Sequence, residues 1–240
     1  MKLNAKRTLV MSLAAVCIST QLVACGLETA VILGGAAVVT GGLVIADRRP
    51  FATYSKDAWI DIQAAAPLGD IGNVGTTHII ANAFNGRVLL TGEVASDADK
   101  QKATDAIQSI SGVKGVDNQL VVGPVTSLQV RNNDSFITTK VKSRLVNDNP
   151  DLGNAFKIVT ENGVVYVLGI LTQSEVERGV EITRTTAGVQ RVVKTSLITI
   201  IKEPQAQALD QAAQEDASKT QGTVTPLPSG DQQPTTQGVN

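Results

Sequence analysis

One block of sequence occurs twice in this chain. Asn85-Gly86-Arg87-Val88-Leu89-Leu90-Thr91-Gly92 returns as Asn162-Gly163-Val164-Val165-Tyr166-Val167-Leu168-Gly169. After a slip of one residue, Gly112-Val113-Lys114-Gly115-Val116 aligns with Gly188-Val189-Gln190-Arg191-Val192. A period of about 77 residues restricts the chain between its apolar amino-terminal region and residue 202 to two copies of one small domain.

Each copy reads as helix, hairpin, helix and strand. Residues 78–84 and 87–94 flank Asn85-Gly86, and residues 155–161 and 164–171 flank Asn162-Gly163. Asn-Gly accepts the positive φ angles of a type I′ turn, so each pair of segments is a predicted hairpin. Ser96 and Asp99 stand at capping-box spacing ahead of Ala103, Ala106, Ile107 and Ile110, which make one apolar helical stripe. In the second copy Thr172 with Glu175, or Ser174 with Glu177, precedes Val176, Val180, Thr183 and Ala187 on one face. Gly112 ends the first of these helices, and residues 116–122 and 192–201 supply the closing strands. Residues 56–66 with Trp59 and Ile62, and 135–147 with Ile137, Val141 and Leu145, are the predicted leading helices.

The resulting α-β-β-α-β unit, with its Asn-Gly…Gly and Gly-Val-x-x-Val blocks, resembles the BON domain of bacterial envelope proteins over residues 55–202. The resemblance implies an α+β fold of two tandem domains, each a small mixed sheet with two helices on one face. It also implies phospholipid interaction and no catalysis.

The amino terminus carries an address. Lys2, Lys6 and Arg7 precede an apolar run from Leu9 that is too short to span a bilayer comfortably, the pattern of a signal peptide. Leu22-Val23-Ala24-Cys25 resembles the lipobox of bacterial lipoproteins, which implies diacylglycerol on the Cys25 thiol and cleavage before it. Two or three acyl chains anchor a protein without a spanning helix. Gly26 is not the Asp that retains lipoproteins at the inner membrane in enteric-type bacteria, so the resemblance implies the periplasmic face of the outer membrane. Residues 27–46 are apolar but broken by Gly34, Gly35, Gly41 and Gly42, each costing a helix about 1 kcal/mol, and are read as a flexible or membrane-hugging tether. Asp47-Arg48-Arg49-Pro50 closes it. After Lys202 the composition turns to Gln, Ala, Thr, Pro, Ser and Gly, which predicts disorder. The expected organisation is a signal peptide (1–24), lipidated tether (25–54), first domain (55–123), linker (124–134), second domain (135–202) and disordered tail (203–240). With lipobox and tether, the whole chain looks like the dual-BON outer-membrane lipoproteins, whose family role is envelope integrity.

No enzyme is expected. His78 is the one histidine, Cys17 leaves with the signal peptide, and Cys25 takes the lipid, so no nucleophile, metal-ligand cluster or cofactor site is assigned. The glycine pairs lack the lysine and the strand-to-helix context of a phosphate loop. Aromatic residues make up 3% and the net charge is −1, leaving little stacking surface and no basic field for nucleic acid. Charge is nevertheless asymmetric. Residues 57–123 hold eight acidic side chains against four basic, a net −4, whereas 136–202 hold nine basic against six acidic, a net +3. Lys140 and Arg144 lie four apart on the second leading helix with Phe136 one turn earlier, a set suited to anionic phospholipid. The expected function is a non-enzymatic lipoprotein that binds anionic phospholipid through Phe136, Lys140 and Arg144 and supports envelope integrity. The alternative is an adaptor whose acidic first domain docks an envelope protein.

Overall fold

A computed structural model describes residues 31–33, 36–38, 47–72 and 75–222, with side chains described from 47 to 216. The expected signal peptide, the lipobox with Cys25, and residues 223–240 lie outside the described residues. In the unit Met1–Val44, strands β1 (Val31–Leu33) and β2 (Ala36–Val38) pair antiparallel. Part of the expected flexible tether is therefore a short ribbon, in keeping with the strand preference of its Val and Ile residues.

The unit Ile45–Asn240 holds both repeats. The first runs through α1 (Phe51–Gly69), β3 (His78–Phe84), β4 (Arg87–Val94), α2 (Asp97–Gln108), β5 (Gly115–Asn118) and β6 (Val121–Val122). The second runs through α3 (Leu128–Asp148), α4 (Pro150–Ala155), β7 (Phe156–Glu161), β8 (Val164–Leu171), α5 (Gln173–Arg184) and β9 (Arg191–Ile200). Each sheet is mixed. β4 pairs antiparallel with β3 and parallel with β5 and β6, and β8 pairs antiparallel with β7 and parallel with β9.

Local chemistry sets these elements. Asn85 (φ 53°) with Gly86 (φ 77°), and Asn162 (φ 48°) with Gly163 (φ 73°), adopt the paired positive φ angles that a two-residue hairpin requires. Gly92 sits at φ 114°, and a Cβ there would come within 1.9 Å of the His78 carbonyl oxygen on the neighbouring strand. Ser96 accepts from the Asp99 N–H, and Thr172 with Glu175 forms a reciprocal capping box. The first closing strand is split where the Asn118 side-chain Oδ1 accepts from the Leu120 N–H at 3.0 Å and interrupts the ladder.

The helices of each repeat cover one face of its sheet. Ile60, Ala64 and Leu68 of α1 and Ala103 and Ile107 of α2 pack on Val88, Leu90 and Val94. Ile137, Val141 and Leu145 of α3 and Val176 and Ile182 of α5 pack on Val165, Val167 and Leu171. The opposite faces meet each other. Phe84 and Leu89 from the first sheet form one buried cluster with Tyr166, Leu168, Ile170 and Leu197 from the second. Burial of alternate residues on both sides leaves β4 and β8 covered on two faces.

Four sequence expectations change. Trp59 and Ile62, assigned to the first leading helix as its apolar markers, are 60% and 65% exposed, because α1 turns Asp57, Ile60, Ala64 and Leu68 inward. Helix α1 starts at Phe51, inside the expected tether. Helix α3 starts at Leu128, where Ser127 caps it by accepting from the Val130 N–H, so most of the expected linker is helical. The first part of the tail, expected to be disordered over 203–240, is helical as α6 (Glu203–Gly222). Its Ala- and Gln-rich composition has high helix propensity, and Ala206 is buried while Leu209 joins the cluster between the sheets.

One buried carboxylate per repeat ties the leading helix to its hairpin. Asp57 accepts from the Asn85 N–H (2.7 Å) and the Gly86 N–H (2.8 Å), and Asp134 accepts from the Asn162 and Gly163 N–H groups at 2.8 Å each. Removing such an acceptor orphans two turn donors. Asp134→Ala is expected to lower the unfolding free energy by about 2–4 kcal/mol, measured by urea denaturation, with Asp134→Asn recovering part of it.

Candidate functional site in the second leading helix and the seam between the repeats

Helix α3 carries the residues predicted to meet lipid. Phe136 is 66% exposed and Lys140 is exposed, one turn apart on the same face. Arg144 continues that face, but its guanidinium is engaged with the end of α5. It donates to the Ile182 carbonyl at 2.8 Å, to Thr186 Oγ1 at 2.7 Å and to Thr185 Oγ1 at 3.1 Å. The last carbonyls of a helix lack partners and carry partial negative charge, so a neighbouring arginine is drawn onto them. Helical spacing within α3 does not reveal this competing acceptor, which belongs to another element. Lys142 is turned inward, donating to the carbonyls of Gly153 (2.7 Å) and Phe156 (2.6 Å).

Much of the second repeat's positive charge is balanced within the fold. Arg178 pairs with Asp148, Arg184 pairs with Glu181, and Lys157 reaches across the seam to the Ala83 carbonyl at 3.2 Å. Burial draws the Lys157 ammonium below its ordinary pKa, opposed by the nearby Asp61 carboxylate. Lys140, Arg191, Lys194 and Lys202 are exposed.

The seam is held by two consecutive arginines that sequence reading left in the tether. Arg48 is 4% exposed. It makes a bidentate pair with Glu175 at 2.7 and 2.8 Å, a second with Asp210 at 2.6 and 2.7 Å, and donates to the Ile170 carbonyl at 2.9 Å. Arg49 turns to the first repeat, donating to Asp57 at 2.8 Å with its guanidinium 4.3 Å from the Phe84 ring centroid and 5.1 Å from that of Tyr54. Asp47 steadies Arg49 by accepting from its backbone N–H and its side chain. Polar contacts extend the seam, with Asp117 accepting from the Ser196 N–H at 2.7 Å and Arg87 donating to Ser196 Oγ at 3.1 Å.

A third group lies at the same seam. His78 Nδ1 is 3.7 Å from Glu93 Oε2 and 3.8 Å from Glu161 Oε1, and both carboxylates are buried. Burial, then the charges of Glu93 and Asp134, push the Glu161 carboxyl up to about 7. Burial, then the Arg131 charge, lowers the imidazole pKa. These are the residues of the described chain positioned to hold a cation.

The Arg48 pair makes stability depend on pH in a definite direction. Burial alone would raise the Glu175 pKa, but the Arg48 bonds and the Thr172 N–H outweigh it and leave the carboxyl below its ordinary value of 4.5. A carboxyl depressed in the folded state contributes stability above its unfolded pKa and loses it as pH falls through the folded one. Urea denaturation is therefore expected to show stability declining below about pH 4.5, with Arg48→Met both less stable at neutral pH, by about 3 kcal/mol, and less sensitive to acid.

Comparison with known proteins agrees with this architecture. The BON domain family matches residues 56–124 and 133–201, one match for each repeat. Outer membrane lipoprotein DolP of Haemophilus influenzae is 33% identical over 164 residues, covering 66% of this chain and 85% of that protein. The 21 kDa hemolysin of Actinobacillus pleuropneumoniae is 30% identical over 112 residues, covering 47% of this chain and 58% of that protein. Osmotically-inducible protein Y of Escherichia coli is 27% identical over 142 residues, covering 58% of this chain and 71% of that protein. With both repeats matched and most of a lipoprotein relative aligned, the chain is a member of the dual BON-domain outer-membrane lipoprotein family.

Proposed function

We propose that this protein is a non-enzymatic lipoprotein, lipidated at Cys25 and facing the periplasm from the outer membrane, which binds anionic phospholipid and supports envelope integrity. The observation that carries the reading is the likeness to an outer membrane lipoprotein over 85% of that relative's length, in a chain that also contains Leu22-Val23-Ala24-Cys25. Among the described residues no helix is long and apolar enough to cross a membrane. Lipid on Cys25 supplies the anchor.

Phe136 and Lys140 are the contact residues of this proposal. An exposed ring can enter the headgroup region beside an ammonium group that pairs with phosphate. Arg144 adds charge to the same face while its donors hold the end of α5. A second reading, the protein adaptor, is favoured by one observation: the acidic first repeat exposes Phe51, Trp59 and Ile62 along α1.

Co-sedimentation with vesicles separates the two. The unit Ile45–Asn240, free of lipid, is expected to bind phosphatidylglycerol-containing vesicles and not phosphatidylcholine vesicles, with binding weakened by salt. Lys140→Glu is expected to weaken it about tenfold or more, and Phe136→Ser to weaken it at every salt concentration. Absence of binding to either vesicle removes the lipid-reading role and favours the adaptor.

A further inference from the structure

We propose that His78, Glu93 and Glu161 form a zinc site that joins the two repeats. His78 and Glu93 are cross-strand partners on β3 and β4, so the first repeat delivers an imidazole and a carboxylate side by side. Glu161 is the last residue of β7, and Asp134 fixes the turn immediately after it. The second repeat thus brings its carboxylate to the same point.

The three candidate ligand atoms lie within 4.8 Å of one another. His78 Nδ1 stands 3.7 Å from Glu93 Oε2 and 3.8 Å from Glu161 Oε1, too far for direct hydrogen bonds. Zinc bonds of about 2.0–2.2 Å in tetrahedral geometry separate neighbouring ligands by roughly 3.4 Å, so the two His78 pairs stand within a few tenths of an ångström of that spacing, and the pair of carboxylates, within 4.8 Å, closes by up to about 1.4 Å through side-chain rotation when the ion binds.

The polar groups themselves point to a ligand. Glu161 is 6% exposed, and its Oε1, turned to the imidazole, has no hydrogen-bond partner. His78 Nδ1 is also buried without one. Buried polar atoms are nearly always satisfied, and a cation satisfies these two together. Glu93 is held in place by Thr126, whose N–H and Oγ1 donate at 3.3 Å each to the same Oε2 that faces His78.

Charge and softness select the ion. Two carboxylates attract a divalent cation, and the nearby Arg131 guanidinium offsets only one of them. An imidazole nitrogen beside two carboxylate oxygens suits zinc better than magnesium or calcium, which favour oxygen throughout. The His78 side chain is 19% exposed as a whole, while its Nδ1, facing the carboxylates, is buried.

The test uses the full chain in detergent micelles, with Cys17→Ala and Cys25→Ala removing the thiols that would themselves take up zinc. Protein is equilibrated with zinc chloride, dialysed, and assayed for metal content and thermal midpoint. The expected result is about one retained zinc per chain and a midpoint that rises with zinc concentration. His78→Gln and Glu161→Gln, added separately, are each expected to weaken zinc uptake at least about tenfold and abolish the rise. Glu161→Gln keeps the side-chain shape and removes a buried charge, and His78→Gln tests the site independently should that variant fail to fold. A parent that retains no zinc, or folded variants that retain as much as the parent, would overturn the site.

Discussion

Two adjacent guanidinium groups tie the two repeats and the carboxy-terminal helix to one another. Arg48 binds Glu175 and the Ile170 carbonyl of the second repeat together with Asp210 of the carboxy-terminal helix, while Arg49 binds Asp57 and stacks on Phe84 of the first. A buried arginine is stabilising only when its donors find acceptors, and bidentate carboxylate pairs provide them. Because the two residues are neighbours in the chain, satisfying both fixes the two repeats against one strand of backbone. The apolar cluster between the sheets then excludes water from that junction. Glu175 serves twice, closing the capping box of α5 and receiving Arg48, so helix formation and domain docking share one carboxylate.

Much of the fold was legible because its signals are local. The Asn-Gly turns, the Ser96 and Thr172 caps and the stripe Ile137-Val141-Leu145 depend on residues within a few positions of one another. Trp59 and Ile62 are large apolar side chains of α1, yet its buried face follows the repeat register. Asp134, Ile137, Val141 and Leu145 correspond, one repeat earlier, to Asp57, Ile60, Ala64 and Leu68, the buried face of α1. The docking of the sheets also left a trace. Val88-Leu89-Leu90 and residues 164–171 are continuous apolar runs, and a strand facing water on one side would alternate instead. In the tail, low sequence complexity concealed the few residues, Ala206, Leu209 and Asp210, that dock α6.

The seam was hidden from sequence because its contacts are long in range and specific in geometry. Arg48 and Asp210 lie 162 positions apart. Nothing local distinguishes Arg48-Arg49 from a basic tether facing lipid headgroups. His78, taken by itself, was a poor metal or catalytic candidate, and pairing it with Glu93 and Glu161 requires both the β3–β4 register and the docking of the second repeat. Arg144 illustrates the converse. Helical spacing relates it to Phe136 and Lys140, but the Ile182 carbonyl and the Thr185 and Thr186 hydroxyls that take up its donors belong to another element.

If the arginine pair makes one cooperative body of two repeats, calorimetric unfolding of the unit Ile45–Asn240 measures it directly. The parent should melt in a single transition whose calorimetric and van't Hoff enthalpies agree. The Arg48→Met/Arg49→Met double variant should melt at lower temperature in two resolved steps, one for each repeat. Two independent transitions in the parent, or one undiminished transition in the double variant, would contradict the account.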